Sequence, residues 1–102
     1  MNEYDSILGD AQSWLINHSR SLADRGIKLT VSKSPYDGRT KESAWFDLED
    51  ETKMGRIILW DTGECELELA DIPSGEVTAQ HRSIASETDL NEALNALVSW
   101  FA

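Results

Sequence analysis

The run Cys65-Glu66-Leu67-Glu68-Leu69 alternates apolar and acidic at every step. Only an extended strand sorts neighbours this way, because successive side chains leave opposite faces of its backbone. Cys65, Leu67 and Leu69 need a core, while Glu64, Glu66 and Glu68 need water. A chain with this run is committed to a sheet covered on one side and open on the other. The rest of the sequence must supply the cover.

Helices at the two ends can do so. Tyr4, Ile7, Leu8, Ala11, Leu15, His18 and Leu22 recur at three- and four-residue spacing, which predicts a helix over residues 4–24 with one apolar stripe bordered by Trp14. Gly26 is placed to stop it, since a helix C-terminus commonly needs a left-handed residue. Ser86-Glu87-Thr88-Asp89 resembles a capping box with Asp as its fourth member. It precedes a stripe of Leu90, Ala93, Leu94, Leu97, Val98 and Phe101.

Between the helices lie five strand-like runs: Ile27–Lys33, Ala44–Glu49, Met54–Trp60, Cys65–Leu69 and Val77–Arg82. Turn chemistry separates them at Ser34-Pro35-Tyr36-Asp37-Gly38, Asp50-Glu51-Thr52-Lys53, Asp61-Thr62-Gly63 and Ile72-Pro73-Ser74-Gly75. The third run, Met54-Gly55-Arg56-Ile57-Ile58-Leu59-Trp60, is apolar on both faces and is expected at the centre of the sheet. Turns this short allow only antiparallel neighbours. The expected fold is α+β: an antiparallel meander of about five strands, with an N-terminal and a C-terminal helix packed on one face.

The 102 residues suit one domain, spanning 1–102. A chain this long buries roughly two-thirds of its unfolded surface and needs no staple. Its single cysteine, Cys65, allows no internal disulfide and no CxxC zinc site, which fits a reducing cytoplasm. The acidic N-terminus does not read as a signal peptide, and no apolar run is long enough to span a membrane. The expected location is cytoplasmic.

Charge is distributed unevenly. Residues 1–41 hold six basic and five acidic side chains, whereas residues 42–76 hold two basic and eleven acidic, a net of −9 out of the total −10. Such a field repels nucleic acid and anionic membranes and attracts a cationic partner. No cofactor or metal is expected, because neither a phosphate-binding glycine loop nor an EF-hand loop occurs, and the acids are not paired as a glycosidase requires. His18 and His81 are isolated, and Cys65 reads as an inert core thiol unless a histidine lies beside it. The chain is therefore read as a binding protein and not an enzyme.

The candidate binding residues are Trp45, Asp47, Trp60, Asp61, Glu64, Glu66 and Glu68. Three glutamates at period two stand about 7 Å apart along one strand face, and the same row also reads as an ordinary solvated face. Trp45 and Phe46 are neighbours in one strand and so face opposite ways, as do Leu59 and Trp60. At least one aromatic is thus expected on the face away from the helices, where an aromatic among charges suits an interface anchor.

The run Gly55-Arg56-Ile57-Ile58-Leu59-Trp60-Asp61-Thr62-Gly63-Glu64-Cys65-Glu66-Leu67-Glu68 follows Ala44-Trp45-Phe46-Asp47 and precedes Ala93-Leu94-Asn95-Ala96-Leu97-Val98-Ser99-Trp100-Phe101. Together these segments, over the C-terminal two-thirds, resemble bacterial immunity proteins of the TriTu type. The resemblance implies a small acidic cytosolic protein of polymorphic toxin and contact-dependent growth inhibition systems, which binds and neutralises a cognate toxin domain, often a nuclease. It supplies no interface residues. An acidic inhibitor suits a nuclease's basic groove. The partner is then a toxin protein with a basic surface, and a monomer is expected. The alternative is a chaperone-like adaptor for a basic secreted effector, which would favour a dimer.

Overall fold

The computed structural model describes residues 3–33, 43–60 and 62–101. The chain forms α1 (Glu3–Asp24), β1 (Lys28–Lys33), β2 (Ser43–Glu49), β3 (Lys53–Trp60), β4 (Glu64–Asp71), β5 (Glu76–Ser83) and α2 (Glu87–Ser99). The turn expected at Ser34-Pro35-Tyr36-Asp37-Gly38, the polar stretch after it up to residue 42, and Asp61 lie outside the described residues. The strands form one antiparallel sheet in the order β1-β2-β3-β4-β5. This is the expected α+β meander with β3 at its centre.

Register decides which side chains share a face, because directly opposed residues of antiparallel strands project to the same side. Val31 faces Phe46, Phe46 faces Ile57 and Ile57 faces Leu67; in the next row Ala44 faces Leu59 and Leu59 faces Cys65. The strand residues of these rows from β2 to β4 are buried together with Ala11, Leu15 and Leu22 of α1 and Leu90, Ala93, Leu94 and Leu97 of α2 in one core. Each fully buried Leu, Ile or Phe contributes roughly 1.5–3 kcal/mol. Both helices therefore lie on one face, as the alternation in β4 requires.

The helix ends follow local chemistry. Gly26 (φ 75°) receives α1 in a left-handed conformation. Its N–H donates to the Ala23 carbonyl at 3.0 Å, and the Ile27 N–H donates to Leu22 at 2.9 Å, the Schellman pattern. Buried Leu22 and Ile27 flank this cap. At the start of α2, Ser86 Oγ accepts the Asp89 N–H at 3.2 Å. The short Asp89 side chain accepts instead from the Ala85 N–H, at 2.9 Å, one residue before the cap.

One expectation needs adjustment. His18 was expected on the apolar stripe of α1 but is exposed at its margin. There it stacks on Trp14 (centroids 3.9 Å apart) and donates Nδ1–H to the Trp14 carbonyl at 2.7 Å. The side chains of Tyr4 and Ile7, also assigned to that stripe, lie outside the description. The helices do not reach over β5, in which every residue but Arg82 is exposed. Two helices side by side are about 20 Å wide, which is four strands at ~4.8 Å each. The roof therefore ends at β4. No helix among the described residues is long and apolar enough to cross a membrane.

Candidate partner interface

The face opposite the helices is assembled by the same register. One row runs Thr30, Asp47, Arg56, Glu68, Ala79, and the next runs Ser32, Trp45, Ile58, Glu66, His81. Trp60 stands opposite Ser43, and Glu64 stands opposite Ser83. Trp45, Asp47, Trp60, Glu64, Glu66 and Glu68, picked from three separate segments of sequence, thus share one face of the sheet. Asp61 lies outside the described residues.

Within that face the residues differ in setting. Trp45, Ile58 and Trp60 are half-buried and form an apolar strip across β2 and β3, beside the glutamates of β4. Glu64 is exposed, and Glu66 and Glu68 are half-buried. Asp47 is engaged within the protein: the Arg56 guanidinium donates from Nε to Oδ1 and from a terminal nitrogen to Oδ2 at 3.4 Å. That hydrogen bond, the charge of Asp47 and the charge of Glu68 raise the Arg56 pKa above its ordinary value. Along this row the charges alternate in sign, so the acidic excess of the face is concentrated on β4.

Sequence reasoning did not pick Ile58 or Arg56 for this face. Both share the parity of Trp60 in β3, so once Trp60 is placed outward the alternation places them too. The other two tryptophans serve the fold. Trp14, on α1, packs against the core. Trp100 donates its indole N–H to the Ala70 carbonyl at 3.2 Å, and the Lys53 ammonium sits 5.3 Å from its ring centroid.

Cys65 and His81 do not meet. Cys65 opposes Arg82 on the helix-covered face, while His81 opposes Glu66 on the open one. Burial pushes the Cys65 thiol up to about 11, away from the thiolate that nucleophilic chemistry needs. Among the described residues, no three His, Cys, Asp or Glu side chains are grouped so as to hold a metal ion.

Fold and face together define a small α+β domain that displays Trp45, Trp60 and the β4 glutamates on one face of its sheet. The family model described as Immunity protein TriTu matches residues 10–100, and the chain belongs to that family. The match takes in α1 from residue 10 onward as well as the C-terminal two-thirds that carry the resemblance. Membership gives the protein an immunity role in a typically non-enzymatic family and implies a cognate toxin as its partner. No curated protein matches the chain.

Proposed function

We propose that this immunity protein acts as a cytoplasmic monomer that neutralises a basic toxin domain, a nuclease, by laying the open face of its sheet against the toxin's phosphate-binding surface. The observation that carries this reading is the gathering of Glu64, Glu66 and Glu68 beside Trp45 and Trp60 on the one sheet face the helices leave bare. The glutamates speed encounter with a cationic surface, and the tryptophans supply desolvated contact once the surfaces meet. An incoming toxin must be caught before it cuts, so a steered association rate is of direct use.

The test is a titration against the toxin domain encoded beside the gene, at low and at physiological salt. Nanomolar binding that weakens with salt supports the reading. A Glu64/Glu66/Glu68 triple alanine variant should associate more slowly and lose most of the salt dependence. Binding unchanged in that variant would rule out the acidic face as the docking surface.

A further inference from the structure

Among the described residues, no helix covers the last strand and no strand pairs with its outer edge. It ends the sheet, and Val77 is 65% exposed. Two hydrogen bonds fix which of its main-chain groups point outward. The Ile72 N–H donates to Thr52 at the β3 side of β4, and the Ile84 N–H donates to Gly63 at the β5 side. Pairing is unbroken between these points. Antiparallel alternation then turns the N–H and C=O groups of residues 76, 78, 80 and 82 toward β4, and those of Val77, Ala79 and His81 away from the sheet. No described strand pairs with them.

Edges of this kind are normally defended with lysine, proline or a bulge. The opposite edge, β1, carries Lys28 and Lys33. By contrast β5, Glu-Val-Thr-Ala-Gln-His-Arg-Ser, has no lysine or proline and pairs without a bulge. Beside it lies the acidic row: Ala79 opposes Glu68 and His81 opposes Glu66. The methyl group of Ala79 leaves the space above β5 open at Glu68. A strand added outside β5 would run about 10 Å from β4, two strand spacings away. The long stem of a lysine or arginine on that strand can cross Ala79 and bring its cation to the glutamates.

We propose that the toxin docks by adding one of its own strands to the free edge of β5, with main-chain pairing to Val77, Ala79 and His81 and with basic residues at alternate positions reaching over Ala79 to Glu66 and Glu68. This rests on the immunity reading and specifies how the partner is held: backbone pairing supplies the grip, and the charge pattern selects which strand fits.

The experiment is amide hydrogen exchange on the free chain and on its complex with the neighbouring toxin domain, together with two variants. In the free chain the Val77, Ala79 and His81 amides should exchange fast, and in the complex they should slow by roughly a hundredfold or more. Ala79→Pro removes an outward N–H without touching the β4 ladder. It should keep the unfolding midpoint and weaken binding at least about tenfold. Ala79→Arg fills the space over Glu68 with the protein's own cation; it should slow association and flatten its salt dependence while leaving amide protection in the complex intact. A complex in which the three amides exchange as in the free chain, or an Ala79→Pro variant that binds like wild type, overturns edge docking and leaves the immunity reading standing. A free chain already dimerised through β5 also overturns it, because the edge is then taken by a second copy. Absence of binding by the wild-type chain overturns the immunity reading itself.

Discussion

Leu97 of α2 presses directly onto Gly55 of β3: a Cβ on Gly55 would come within 2.6 Å of Leu97 Cδ1 and 3.3 Å of the Phe101 ring. The missing side chain lets α2 sit close to the sheet. Gly55→Ala should therefore destabilise the fold by about 1–3 kcal/mol through overpacking, read as a lower urea midpoint with little change in slope. In a Leu97→Ala background the same change should cost less, because the closest clashing atom is gone and only the tight contact with the Phe101 ring is left.

Cys65 should be silent toward thiol reagents in the native state. It is fully buried, and its pKa is raised from 9.0 to about 11. Ellman's reagent at pH 8 should react slowly with the folded chain and fully once denaturant is added. The same shift has a definite sign in stability. The unfolded thiol ionises first, so the stability this group contributes is complete below pH 9 and falls as pH rises toward 11. A Cys65→Ala variant should lose that part of the alkaline decline, which denaturant midpoints at pH 8, 9.5 and 11 would reveal.

The cap of α2 sets a smaller effect. Ser86→Ala removes the acceptor of the Asp89 N–H and should cost about 1 kcal/mol. Ser86→Asp should retain most of the stability. Thermal unfolding of the pair separates loss of the cap from general disturbance of the loop.

Trp45 and Trp60 should separate binding from folding. Both stand on the open face, whereas Phe46, one residue along, is fully buried. Phe46→Ala should cost about 3–5 kcal/mol of stability. Trp45→Ala and Trp60→Ala should cost less stability than that, and at least one should remove about 2 kcal/mol or more of toxin affinity. Calorimetry on the complex, beside denaturation of the free variants, would show the two effects dividing as stated.

Much of the architecture was legible because each element carries its own signal. The alternation in Cys65–Leu69, the Gly26 stop and the Ser86 cap each correspond to a local structure that forms as read. The placement of Trp45 and Trp60 on one face was legible only in part. Adjacency in the strand showed that an aromatic must face outward, but register was needed to put both beside Glu66. The pairing of Asp47 with Arg56 depends on that cross-strand register, which neither residue announces alone. The exposure of β5 depends on how wide a roof two helices make, a quantity carried by no residue of the strand itself. His18 showed the limit of periodicity at a stripe's margin, where a few degrees of helix rotation decide between core and water.

The one-sided roof has a consequence for how the protein can change over generations. Along β4, Cys65 and Leu67 are locked into the interior, while Glu64, Glu66 and Glu68 look the other way. A codon altered at one of those glutamates leaves the packing beneath undisturbed. Under the proposed docking, the face opposite the helices and the outer strand can thus be rewritten step by step while the same scaffold persists, so that a lineage can follow a drifting antagonist without having to reinvent its fold.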